Sequence, residues 1–209
     1  AFTGALVTVF IVYQLARQGN KVPVVHFLLA GMAIGFFLNA FTSMVMVLGI
    51  KDYYKIVYWL MGSLARASWQ DVYIILPYLV IGLLITLYIG RDLNLILMGE
   101  ETAHNLGVNV ERLKKIVLIV SALLTAAAVS VSGVIGFVGL IIPHIVRMIT
   151  GPDHRKLIPA ATIVGGGFLM LSDTIARTLF SPTELPVGII TALCGGPFFL
   201  YQLKKNKQL

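Results

Sequence analysis

Residues 24–49 read VVHFLLAGMAIGFFLNAFTSMVMVLG, 26 positions without one Asp, Glu, Lys or Arg. Roughly 20 helical residues cross the hydrocarbon of a bilayer, so this run is long enough to span it with some tilt. Its apolar positions are continuous, whereas the strands of a membrane barrel alternate. A backbone in lipid must satisfy its own hydrogen bonds, and a helix does so within one segment. The run therefore predicts a transmembrane helix.

Six further apolar runs lie on either side of it: 1–16, 72–90, 116–132, 134–149, 157–180 and 185–203. The chain is 58% hydrophobic and 12% charged, with a mean hydropathy of +0.91, far from soluble globular usage. The fold class is thus all-α: a polytopic transmembrane helical bundle of about seven spans, in one domain over 1–209. The first run is short for a span, and Ala1 opens inside it without a charged segment before it. Earlier spans are expected upstream. The lone Cys194 sits in an apolar run and reads as a packing residue.

Orientation follows from the basic residues. Alternating the seven spans puts twelve of the sixteen Lys and Arg on one side, among them Arg17, Arg91, Arg112, Lys114, Arg147, Arg155 and Lys204. Lys51, Lys55, Arg66 and Arg177 fall on the other. Asp and Glu divide five against four, so the net charge of +7 lies wholly on the first side. That side is predicted to be cytoplasmic, with the C-terminus inside. The basic character is topology and gives no reason to expect a nucleic-acid partner.

Two connections are long. The outer one, 50–71, carries Tyr53, Tyr54, Tyr58, Trp59 and Trp69, aromatic anchors of a membrane interface, and a short helix is expected over 53–64. The inner one, 91–115, is the most polar stretch. Glu100, Glu101 and Thr102 suit the first turn of a helix over 100–106, Gly107 suits its stop, and Asn109 suits the cap of the next helix. A helix that short is unstable alone, so a partner should pack on it.

The segment GEETAHNLGV (99–108) resembles the cytoplasmic coupling segment of the FecCD-type permeases. These are membrane subunits of ATP-driven importers for iron–siderophores, haem, cobalamin and related chelates. The run GVIGFVGLIIPHIVR (133–147), then GPDHR (151–155), SDTIAR (172–177) and ELPVG (184–188), is similar to that family in the same order, as are WLMGSL (59–64) and ASW (67–69). The resemblance covers essentially the whole chain. It implies a type II importer permease of ten spans, of which this chain holds part of the fourth and the fifth to tenth.

The same resemblance implies the partners and sites. Gly99, Glu100, Glu101, Thr102, Ala103, Leu106 and Gly107 would couple to a cytoplasmic ATPase. Arg177, with Arg66 a weaker candidate, would dock an extracytoplasmic binding protein; the plain alternative for Arg177 is pairing with Asp173, four residues earlier on the same helix face. Asn39, Thr42, Ser43 and Thr191 would face the translocation path at the axis of a homodimer. Two ATPase subunits would hold the ATP and magnesium, and this chain would carry no cofactor, no metal and no catalytic residue. The setting implied is a prokaryotic cytoplasmic (inner) membrane.

Plainer readings compete. Gly133, Gly136 and Gly139, and the pair Gly31 and Gly35, read as sites of close helix packing. Pro143 should weaken its helix. His26, His104, His144 and His154 show no metal-ligand spacing, and no phosphate-binding Gly-Lys-Ser/Thr loop exists in the chain. An ion-coupled secondary transporter is the competing class. It would call for ionisable residues at mid-span and broken helices, whereas the charges here cluster near span ends.

Overall fold

Every apolar run forms a helix in the computed structural model, which describes residues 1–19, 22–48, 53–65, 67–179 and 184–206. The seven are α1 (Phe2–Ala16), α2 (Val24–Val47), α4 (Trp69–Tyr88), α7 (Val110–Ser132), α8 (Val138–Thr150), α9 (His154–Thr178) and α10 (Val187–Asn206). Three short helices join them: α3 (Tyr53–Leu60), α5 (Gly90–Ile96) and α6 (Glu100–Asn105). Helices α2, α4, α7 and α9 are long and apolar enough to cross a membrane, while α1, α8 and α10 are shorter apolar helices.

Local chemistry sets the boundaries. α4 begins three residues before its apolar run because Ser68 and Asp71 form a reciprocal capping box, with Asp71 accepting from the Ser68 amide at 2.8 Å. α7 begins six residues before its run. Asn109 caps it as expected, its side-chain oxygen accepting from the Arg112 amide at 3.0 Å. α8 runs through Pro143 without a break.

The helices pack side by side: α2 on α1, α1 on α7, α7 on α4, α4 on α9, and α9 against both α8 and α10. Burial is sparse. No residue of α2 is buried, and Phe36 and Phe37 are 75% and 67% exposed. In water such surface would cost about 25 cal/mol per Å²; in lipid tails it costs nothing, and helices associate by close fit. The tighter contacts lie between α8 and α9, where Ile142, Val146 and Leu157 meet Ala160, Ala161 and Phe168.

Alternation of the spans gathers the connections at two ends. One end holds 59–64, 132–137 and 184–188. There the Ser63 amide donates to the Ser132 carbonyl at 2.8 Å. Gly133, at φ +68° and ψ −163°, caps α7 in a conformation reached essentially by glycine alone, and a Cβ there would strike the Trp59 carbonyl. A Cβ on Gly188 would strike the Met61 carbonyl, and one on Gly62 would come within 2.6 Å of the Val134 carbonyl. Three strands of backbone cross here at contact distance.

This corrects the reading of the glycine repeat. Gly133 stops α7 and Gly136 lies in the connection, so the three do not form one stripe; a Cβ on Gly136 or Gly139 would meet nothing within 4 Å. Gly31 does face α1, where an added Cβ would lie 3.9 Å from Val12, but one on Gly35 would meet nothing within 4 Å.

Candidate functional site

The opposite end carries the polar connection. α5 leaves the last turn of α4 directly, sharing Ile89 as their common cap. α6 follows and is stopped as the sequence predicts. The Gly107 amide donates to the His104 carbonyl at 2.9 Å, and the Val108 amide to the Ala103 carbonyl at 3.0 Å. That pair is a Schellman motif, and Gly107 takes the positive φ of +88° it needs. Val108 and Ala103 also touch as the motif favours, joining Ile89 and Leu113 in a core ringed by Leu93, Leu95, Ile96, Val110, Ile116 and Val117.

A six-residue helix would melt in isolation, and this core is what holds it. Ala103 is fully buried. The outward side differs: Leu97, Met98 and Leu106 are 55%, 67% and 58% exposed, with Gly99, Glu101 and Thr102 also exposed. Glu100 is half spent, because Lys114 reaches it at 2.8 Å and Glu111 at 3.7 Å. The arrangement presents apolar side chains beside the exposed Glu101 carboxylate on a firm base.

α9 meets this segment through α5. The Asn94 amide donates to Asp153 at 2.7 Å, and its oxygen accepts from the His154 backbone amide and from His154 Nδ1, both at 2.8 Å. Asp153 caps α9 by accepting from the Arg155 amide at 3.0 Å. The Asn94 bond and, after it, the Arg155 amide hold the Asp153 carboxyl below its usual range. Beside this contact Leu87, Tyr88, Arg91, Asp92 and Arg155 line an open hollow of about 540 Å³.

Matching of residues 1–205 to the FecCD transport family decides the class. The chain belongs to that family. It is 48% identical over 99% of its length to the cobalamin import system permease protein BtuC of Halobacterium salinarum, covering 56% of that protein. It is 42% identical to the hemin transport system permease protein HmuU of Yersinia pestis, covering 62% of it. A metal-chelate type ABC transporter solved in an inward-facing conformation superposes with a TM-score of 0.89 at 32% identity, over 98% of this chain and 65% of that one. The chain spans little more than half the length of the curated relatives it matches. As a FecCD chain it shares the family's all-helical, membrane-spanning permease architecture.

The other expected site residues fall in three places. Arg177 Nε pairs with Asp173 at 2.8 Å at the far end of α9, while its side chain stays 40% exposed. Arg66 lies outside the described residues. Asn39 and Ser43 are exposed on α2, with Thr42 between them donating its hydroxyl to the Leu38 carbonyl at 2.8 Å. Thr191 stands apart: it is fully buried, and its hydroxyl donates to the Gly188 carbonyl at 3.1 Å. Among the described residues no three His, Cys, Asp or Glu side chains gather to hold a metal.

Sequence reasoning missed α5 and Asn94. Asn94 lies 59 positions from Asp153, and no local pattern links them. The Ser68-x-x-Asp71 spacing was a usable signal for the start of α4.

Proposed function

We propose that this chain is the membrane-spanning permease part of an ATP-binding-cassette importer that moves a metal chelate: an iron–siderophore, haem or cobalamin. The observation that carries this is the α5–α6 segment, a buried-core platform with exposed Leu97, Met98 and Leu106, in a chain whose family match runs from residue 1 to 205. Such a platform suits a cleft in a cytoplasmic ATPase, with Glu101 offering a polar contact. ATP and magnesium belong to two such ATPase subunits. Their closure would tilt the attached spans as rigid bodies and so alternate the access of the path.

The relatives named for cobalamin and hemin import support the cargo class. In this reading the protein sits in a prokaryotic cytoplasmic membrane as a homodimer, with 89–109 and the C-terminus facing the cytoplasm. Arg177 docks an acidic residue of an extracytoplasmic binding protein, using the exposed part of a guanidinium already oriented by Asp173. Asn39, Thr42 and Ser43 face the path, and their weak polarity suits a conduit that does not grip its cargo. Thr191, buried with its hydroxyl on the Gly188 carbonyl, suits packing within the chain better than the path. An ion-coupled carrier is less well supported, since α2 and the middles of α4, α7 and α9 carry no Asp, Glu, Lys or Arg.

The test is reconstitution. The whole permease should co-purify with an ATPase bearing a phosphate-binding loop, and liposomes holding both should accumulate chelate only with ATP and a cognate binding protein. Uptake driven by an ion gradient without ATP would overturn the proposal.

A further inference from the structure

Among the described residues, the side-chain hydrogen bonds joining the most distant parts of the sequence are those of Asn94, which cross 59 and 60 positions. Its amide orientation is fixed by its partners. The His154 backbone N–H can only donate, so Oδ1 faces it; the Asp153 carboxylate can only accept, so Nδ2 faces that. His154 Nδ1 must then carry its proton toward Oδ1. One planar group thus holds the N-cap and the first residue of α9 by three bonds in two directions.

What Asn94 joins is mechanically distinct. α5, α6 and the first turns of α7 share the core of Ile89, Ala103, Val108 and Leu113, with Leu93, Leu95, Ile96, Val110, Ile116 and Val117 packed on it, so the platform is one packed unit seated on the start of α7. To that apolar seat the Lys114–Glu100 pair adds a polar tie whose Glu is 57% exposed and so weakly held. Toward α9 its tie is Asn94, half-buried, with Gly90 letting Arg155 Cγ approach to 3.4 Å of a would-be Cβ. α9 has 25 residues, about 37 Å at 1.5 Å each. It carries α8 along through Ile142, Val146 and Leu157. At its far end the Ala176 carbonyl accepts from the Leu185 amide at 3.1 Å, within the turn that the Arg177–Asp173 pair spans.

We infer that Asn94 is a positioning residue that pins the α5–α6 platform to α9, so that displacement of the platform swings α9 and is delivered to the opposite face. This rests on the importer reading above. A cap alone would need only Asp153; the pin adds a specific tie between the moving segment and one span.

The experiment uses the whole permease reconstituted with its ATPase and binding protein, reading chelate taken up per ATP hydrolysed. Asn94→Asp keeps both acceptor contacts to His154 but sets a carboxylate against Asp153. It should lower uptake per ATP by about tenfold, with co-purification and basal hydrolysis kept. Adding Asp153→Asn reverses the donor and acceptor: with its nitrogen in the place of Oδ1, the new amide donates to the new carboxylate and gives up the Arg155 cap, since both bonds meet at that atom. The double variant should return the ratio to within about twofold of wild type. If Asn94→Asp does not fold, Asn94→Ala removes the tie without adding charge and should show the same loss of ratio. An unchanged ratio, a parallel fall of uptake and hydrolysis, or no rescue by the double variant overturns the pin. Failure of the importer reading shows separately, in a wild type that neither binds the ATPase nor uses ATP.

Discussion

The two ends of this bundle are joined in opposite ways. At the Gly62–Gly133–Gly188 end, backbone lies on backbone, and three glycines leave no room for any side chain between the crossing segments. At the Asn94–Asp153–His154 end, helices meet through side chains with distances of 2.7 and 2.8 Å. Steric contact has no soft direction, whereas a polar contact can be exchanged for water or another partner at a net cost of about 1 kcal/mol. The difference suggests a fixed end and an adjustable end in one set of helices.

Substitutions can break that contrast. Gly133→Ala combines a glycine-only backbone conformation with a collision against the Trp59 carbonyl, and should destabilise by roughly 3 kcal/mol or more. Loss of the monodisperse peak in detergent, or a large drop in melting temperature, checks it; a normal melt would refute the steric account of that end. Gly151→Ala sharpens the contrast. Gly151 has the same kind of backbone, φ +80° and ψ −174°, but a Cβ there meets nothing within 4 Å. Strain alone remains, about 1–3 kcal/mol, so its melt should lie between Gly133→Ala and wild type.

Asp153→Ala removes the α9 cap and one Asn94 partner, and should lower the melt by less than Gly151→Ala does. Faster hydrogen exchange at the Arg155 and Lys156 amides, with none at residues 132–134, would locate the effect. The carboxylate also makes this end acid-sensitive. Its folded pKa lies below the unfolded value of about 3.9, so its contribution is complete above that value. It is lost as pH falls from there through the folded pKa. The protection factor of the Arg155 amide should therefore fall below about pH 4 in wild type and stay flat with pH in Asp153→Asn. Lys114→Ala is the mildest. The Lys114–Glu100 pair is exposed, so its loss should cost less than about 1 kcal/mol and vanish at molar salt.

How far each end could be read beforehand follows from the same contrast. The 99–109 segment was legible because its signals are local: Gly107 stops a helix and Asn109 starts one within three positions of each other. The span count was legible because length and apolarity report the membrane directly. The glycine end misled, since a three-residue recurrence looks the same whether its members share a helix face or straddle a turn. Gly62 and Gly188 give no signal at all until their partners at 134 and 61 are brought beside them. Thr191 shows the same limit: its type suits a polar lining, and only packing reveals that its hydroxyl is spent on Gly188.

Phe137 is the one described non-glycine residue with a positive φ, +67°, directly before α8. A Cβ on Gly195 of α10 would land on its ring. The ring occupies the volume that a side chain at 195 would need, so neither position can drift alone in descent. A chain that enlarges residue 195 must shrink residue 137 in the same lineage, and across many relatives the two columns should carry a reciprocal size correlation despite lying 58 positions apart.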